Sequence, residues 1–275
     1  MSPLQSPPQD PPLTALLDTA VLAARAAGDI LKAHFEKTLS VDAASQHDLK
    51  LEVDRLSDAA IRQTLMDAFP SHSTLTEESG QTANTSPYTW IVDPLDGTVN
   101  YFHHVPYYCT SIACYRNSPP GTQLAQLGEP LVGVVFAPES DELYSVIRGQ
   151  GAFRNGRRIE TGREKSLSET LVCTTFGSST EMKAQMQRVN SAMLARCRKI
   201  RCFGATALDL AWLSSGRLGG LYHPRIHTWD IAAGLMLIEE AGGKIELKPL
   251  GPQTWDLLTA SAGIFDDLLA VVRAS

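Results

Sequence analysis

No apolar run in this 275-residue sequence approaches the roughly 20 residues that a helix needs to cross a bilayer, and the longest uncharged stretches, such as Leu131 to Pro138, have strand length. Membrane spanning and a membrane partner are therefore not expected. The five cysteines (Cys109, Cys114, Cys173, Cys197 and Cys202) contain no Cys-x-x-Cys pair and are odd in number, which suits buried reduced thiols of a cytoplasmic protein better than a disulfide framework or a structural zinc site. No dense Lys/Arg block is present, and 24 basic residues against 30 acidic ones leave a net charge of -6. That balance speaks against a nucleic-acid polymer as partner, because such binding rests on neutralising many phosphates. The first twelve residues hold five prolines, no Lys or Arg and no apolar segment, so they lack both parts of a secretory signal and read as a disordered tail. No internal repeat or further low-complexity tract is found.

What is there is an ordinary globular composition, 43% hydrophobic and 20% charged, in a chain long enough to bury a substantial core. Apolar or small residues at Leu13, Leu17, Val21, Ala24, Leu31 and Phe35 keep one face of a helix against a core. A second helix follows Asp54, read as its N-cap, carries Ile61, Leu65 and Phe69, and stops at Pro70. Short β-rich runs then appear at Thr89–Val92, Tyr107–Tyr115, Leu131–Phe136 and Glu142–Ile147, and Asn155-Gly156 is a two-residue hairpin turn. Beyond about Thr161 strands and helices alternate: strands near Leu171, Ile200 and Leu221, helices at Thr180–Ala195, at Thr206–Ser215 and from Asp230 to the Gly242-Gly243 stop. Elements at Leu257–Ala260 and Phe265–Val272 close the chain. The division expected is a tail over 1–12, an α+β metal-binding half over 13–160 and an α/β substrate-binding half over 161–275.

The most informative segment is Trp90-Ile-Val-Asp-Pro-Leu-Asp-Gly-Thr98, a buried-strand pattern that delivers two acids, three residues apart, into a glycine turn. Pro94, Asp96 and Gly97 alone could simply build that turn. Matching acids elsewhere weigh against this: Glu77-Glu78 after the run Ser73–Thr76, and Asp230 in Trp229-Asp-Ile-Ala-Ala-Gly234. Each has its own plain reading, a solvated loop for the glutamates and a helix cap for Asp230 and Asp54. Capping and metal binding can coexist.

With these motifs the chain resembles the inositol monophosphatase family of lithium-sensitive, magnesium-dependent sugar phosphatases. Glu77-Glu78-Ser79, Asp93-Pro-Leu-Asp-Gly-Thr98, and Trp229-Asp-Ile-Ala-Ala-Gly234 with Glu240-Ala-Gly-Gly243 carry the likeness in order and spacing. It implies a layered α-β-α-β-α sandwich, α+β in its first half and α/β in its second, and a homodimer. It also implies two or three Mg²⁺ ions held by Glu77, Asp93, Asp96, Asp230 and the Leu95 carbonyl. Four converging carboxylates would repel a phosphate dianion unless divalent cations reversed the field, and all-oxygen ligation suits a hard ion. The resemblance further places phosphate on the backbone N–H groups of Gly97 and Thr98. It sets Thr98 in contact with Asp54 to orient or deprotonate the attacking water, with Glu77 as the other base. Substrate contacts fall to Asp96, Thr206, His223 and Arg225. Hydrolysis is expected by direct in-line attack of metal-activated water on a small soluble phosphate ester, with inositol 1-phosphate the lead substrate.

Three rivals stay in view. Asp93-x-x-Asp96-Gly-Thr is close to the Asp-x-Asp-Gly-Thr signature of phosphatases that form an aspartyl-phosphate, but is one residue too long. Histidinol phosphate, a nucleotide 3′,5′-bisphosphate and fructose 1,6-bisphosphate are handled by relatives with the same motifs. A catalytically inactive phosphoryl-ligand sensor would show binding without turnover. Two departures bear on substrate. Many family members place a Lys where Ala43 stands here, and Lys50-Leu51 replaces their Val-Thr, so Lys50 is either a substitute cation or an exposed strand lysine. His223 stands where inositol-selective relatives carry a Glu, and an imidazole cannot present two acceptor oxygens. Arg225 then either meets a further anionic group or serves structure. His103, His104 and His227 are read as structural, and Tyr101, Tyr107 and Tyr108 as packing residues.

Overall fold

The computed structural model describes residues 10–37, 41–44, 49–117, 128–177 and 179–275. The first half runs α1 (Leu13–His34), β1 (Val41–Ala44), β2 (Leu49–Leu51), α2 (Glu52–Ala68), β3 (Ser73–Thr76), β4 (Gly80–Thr82), β5 (Tyr88–Asp96) and α3 (Thr98–Phe102). It continues with β6 (Cys109–Arg116), β7 (Glu129–Ala137), β8 (Glu142–Ile147), β9 (Gly151–Arg154) and β10 (Arg157–Ile159). The second half runs β11 (Leu171–Thr174), α4 (Thr180–Leu194), β12 (Lys199–Arg201), α5 (Thr206–Ser214) and β13 (Gly220–His227). It ends with α6 (Thr228–Glu240), β14 (Gly243–Gly251), β15 (Thr254–Ser261) and α7 (Phe265–Arg273).

Two large sheets result, eight strands in the order β10-β9-β8-β7-β6-β5-β3-β4 and five in the order β12-β11-β13-β15-β14. On one face of the first, α1 and α2 seat Leu16, Ala20, Ala23, Ala24, Ala27, Ile61 and Leu65 against Trp90, Val92, Ile112, Val132 and Val134. The small residues of α1 let its backbone approach the sheet, and a Cβ at Gly28 would collide with the Phe136 ring. On the other face α5 and α6, apolar over most of their surface as buried helices are, fill the space between the sheets with Leu208, Leu210, Ile231 and Leu237. The outer face of the second sheet is covered by α4 and α7 through Met186, Val189, Met193, Leu268 and Val271. The layers are thus α-β-α-β-α, as the resemblance implies.

Two expectations need correction. The second helix starts at Glu52 with Leu51 as its N-cap, so Asp54 sits in the first turn and reaches back, its Oδ2 accepting the Leu51 N–H at 2.7 Å. The strand expected from Tyr107 begins at Cys109, because Tyr107 and Tyr108 turn inward before the pairing with β5 starts at Asp96–Cys109. The expected tail, 1–12, falls mostly outside the described residues, but Asp10 is docked, accepting the Tyr88 hydroxyl at 2.5 Å and pairing with Arg116 at 3.0 Å. No described helix is long and apolar enough to cross a membrane.

Candidate active site

β5 is buried along nearly its whole length, and its end carries the acids. Pro94 has no N–H to give a ladder, and the pairing of β5 with β6 shifts register between Asp93 and Asp96. Within this irregular stretch Asp93 Oδ1 accepts the Leu95 N–H at 3.0 Å and the Thr110 hydroxyl donates to the Pro94 carbonyl at 3.0 Å. Gly97 follows at φ +94°, and a Cβ there would sit 3.0 Å from the Tyr107 carbonyl oxygen, so only glycine fits the turn into α3. Thr98 opens α3 and donates its hydroxyl to the Leu95 carbonyl at 3.0 Å.

Strand pairing and helix placement bring the other acids to the same spot. β3 lies parallel to β5 with Thr76 opposite Val92, and the Glu77 N–H continues the ladder to the Val92 carbonyl at 3.2 Å, which sets Glu77 beside Asp93. Asp230 comes from the first turn of α6, where its Oδ2 accepts the His227 N–H at 3.0 Å. One carboxylate oxygen each of Glu77, Asp93 and Asp230 lies within 4.8 Å of the others. Asp93 is 1% exposed, and burial together with the charges of Glu77, Asp96 and Asp230 pushes its carboxyl well above the usual range. Burial, Asp96 and Glu77 do the same to Asp230. Like charges pressed together out of water are costly without a counter-ion, and an all-oxygen donor set is what a hard divalent cation takes. The residues therefore fit a metal site.

Asp96 stands apart from that trio. Its carboxylate takes backbone N–H groups at the start of α5, from Thr206 at 3.1 Å and Ala207 at 2.6 Å, and the Cys109 thiol at 3.6 Å. Burial raises it to about 6 against the opposing pull of those N–H groups. Its charge still acts on Asp93 and Asp230. Asp54 caps α2, and its charge reaches Tyr101, which lies close to Thr98 on α3.

Beside Asp96, at the start of α5, lies a small cavity of about 40 Å³ lined by Thr174, Thr175, Thr206, His223, Cys173 and Cys202 among others. His223 Nδ1 accepts the Arg225 N–H at 3.4 Å, and burial lowers its pKa to about 4, so it is neutral and offers an Nε2 proton. Arg225 is not part of this cavity. β13 shifts register between His223 and Ile226, and Arg225 is exposed in a separate groove with Glu181, Gln185 and Asp256. The side chains of Lys50 and Ala43, and Asp48, lie outside the described residues.

Sequence reasoning missed the cavity floor. Asp209, 4% exposed, accepts the Tyr107 hydroxyl at 2.7 Å and the Cys173 thiol at 3.1 Å, and burial raises it to about 7. Tyr107 stacks on Phe203 at 4.9 Å, and Asn100 Nδ2 donates to the carbonyls of both. The available signal was an acid between Leu208 and Leu210 in an otherwise apolar helix. Glu240 is structural, accepting the N–H groups of Gly149 at 2.5 Å and Gly151 at 2.7 Å. His104 is held by the Phe35 carbonyl at 2.6 Å, and His227 stacks on Trp229 at 4.8 Å.

Comparison with known proteins agrees with this geometry: residues 13–263 match the inositol monophosphatase family. The chain belongs to that family. It is similar to the Nus factor SuhB of Xylella fastidiosa (34% identity, covering 93% of each chain) and to inositol monophosphatase 2 of Solanum lycopersicum (36%, covering 86% of this chain and 88% of the other). The crystal structure of the extragenic suppressor protein suhB from Bartonella henselae superposes with a TM-score of 0.85 at 29% identity, covering 94% of this chain and 98% of that one. Family membership makes the protein a phosphatase, a phosphoric monoester hydrolase, and the three-acid cluster is its candidate metal site.

Proposed function

We propose that the protein is a Mg²⁺-dependent phosphomonoesterase acting on a small uncharged polyol phosphate, with inositol 1-phosphate the lead substrate. The observation that carries this is the convergence of one carboxylate oxygen each of Glu77, Asp93 and Asp230 within 4.8 Å. Those three, with the Leu95 carbonyl and Asp96, would hold the ions. Bound Mg²⁺ would supply the positive charge that offsets the carboxylates and polarises both water and phosphate. The chain's own groups do the rest. The Gly97-Thr98 turn offers backbone N–H groups to phosphate oxygens. Glu77, or Thr98 supported by Asp54, takes up or orients the proton of the attacking water for in-line displacement.

The cavity at the start of α5 is smaller than a polyol as it stands, and it is the chemistry of its lining that supports the substrate choice. No Lys or Arg lines it among the described residues, so a second phosphate has no partner, which disfavours fructose 1,6-bisphosphate and a nucleotide 3′,5′-bisphosphate. Asp209 is its acid, and both its oxygens are engaged by Tyr107 and Cys173, which disfavours the ammonium of histidinol phosphate. Phosphate release should be measured over these four substrates with Mg²⁺ varied and Li⁺ added. The reading expects Mg²⁺-dependent, Li⁺-inhibited release, fastest from inositol 1-phosphate. Faster release from a bisphosphate would overturn the substrate, and no release from any would overturn the enzyme.

A further inference from the structure

The cavity beside Asp96 carries two thiols that the hydrolysis does not use, Cys173 in β11 and Cys202 just past β12. β11 and β12 are parallel neighbours with Cys173 opposite Arg201, so Cys202 is one residue beyond the partner of Cys173. With strands about 4.8 Å apart and a rise of about 3.3 Å per residue, that offset separates the two Cα atoms by roughly 6 Å. Disulfides join Cα atoms about 4.4–6.8 Å apart. In a continuing strand Cys202 would face away from Cys173, because successive side chains alternate. β12 ends at Arg201, however, so that alternation does not extend to Cys202, and both cysteines line one cavity.

We propose that Cys173 and Cys202 are a modification site, a thiol pair that closes into a reversible disulfide across the cavity. Cys202 is exposed and Cys173 is 1% exposed, so a co-reactant from solvent meets one thiol with the second behind it. No other thiol competes: Cys114 and Cys197 are buried in the two outer cores, and Cys109 is fully buried against Asp96. The co-reactant is a small-molecule disulfide such as oxidised glutathione. The Cys202 thiolate attacks one of its sulfurs and expels the first thiol, then the Cys173 thiolate attacks the Cys202 sulfur and expels the second. Two protein thiols are oxidised to one disulfide, one disulfide is reduced to two thiols, and the two cysteine protons pass to the departing thiolates. Burial raises both cysteine thiols, so the reaction is slow at neutral pH and quickens as pH rises. The new bond spans a cavity of about 40 Å³ and takes from Asp209 the proton that Cys173 donates, so the wall that Thr206 and His223 share with the two cysteines changes shape.

Only the effect on turnover rests on the proposed function; the bond itself is read by mass. The full chain is incubated for hours with oxidised glutathione at about pH 9.5, which raises the thiolate fraction above that at neutral pH, then alkylated and digested with trypsin. The expected product is residues 166–183 linked to residues 202–217, absent in Cys202→Ser. Phosphate release should fall at least about tenfold and return with dithiothreitol, while the treated-to-untreated ratio of Cys202→Ser stays within about twofold of unity. Two alkylated thiols, or a stable mixed disulfide on Cys202 alone, would overturn the site. A linked peptide with unchanged turnover would overturn the closure of the cavity.

Discussion

The Asp96 carboxylate accepts the Ala207 N–H at 2.6 Å, tying the end of β5 in the first sheet to the start of α5, 111 residues later in the chain. Asp96→Ala removes the acceptor and leaves the first N–H groups of a buried helix unsatisfied. The expected loss of stability is about 1–3 kcal/mol, at the upper end of capping effects because the site is buried. Urea unfolding measures it, and an unchanged midpoint would show that the cap contributes nothing.

Asp93→Asn acts in the opposite sense on the metal-free protein. Its carboxyl is pushed up by burial and by three neighbouring acids, so the neutral amide relieves repulsion. The metal-free variant should melt at the same temperature as wild type or a few degrees higher, and the rise that Mg²⁺ gives wild type should vanish. Phosphate release should fall by about 10³ or more. A destabilised apo variant that still responds to Mg²⁺ would contradict the role given to Asp93.

Much of this was legible in the sequence because it was local. Ile61, Leu65 and Phe69 mark one helix face, and an acid at a strand end followed by glycine marks a site. The helix boundary at Glu52 was misread because Asp54 caps from inside the first turn, a geometry that the residue type alone does not distinguish from an N-cap. β14 was not read as a strand because its residues are mostly half-buried or exposed and include Pro249, so it lacks apolar alternation. The Tyr107–Asp209 bond spans 102 residues and no periodicity encodes it. The direction of Arg225 depends on the register shift after His223, which only the sheet reveals.

Tyr107→Phe tests the cavity floor. Removing the hydroxyl leaves Asp209 with the Cys173 thiol as its side-chain donor, at an expected cost of about 1–2 kcal/mol. Because Asp209 lines the cavity and is not one of the acidic trio, KM for inositol 1-phosphate should rise several-fold with kcat changed less than about threefold. A loss confined to kcat would place Tyr107 in the chemical step instead.

His72 makes stability acid-sensitive. It is 4% exposed, stacked between Phe69 at 4.7 Å and Tyr88 at 4.8 Å, and burial lowers its pKa to about 4. Below pH 6.5 the unfolded chain binds a proton that the folded chain refuses, so this contribution is whole above about pH 6.5 and is lost as pH falls towards 4. The loss is on the order of 2 kcal/mol, and His72→Phe should flatten the urea midpoint over that window relative to wild type. Parallel pH profiles for the two proteins would remove His72 from the account.

The claim on which the rest depends is that Glu77, Asp93 and Asp230 together hold a divalent cation. Crystals soaked in Mn²⁺ as a stand-in for Mg²⁺ and measured for anomalous scattering test it directly. The account predicts a peak between the three carboxylates that disappears in Asp93→Asn. Density only on surface acids, with the three side chains left as they are, would contradict it.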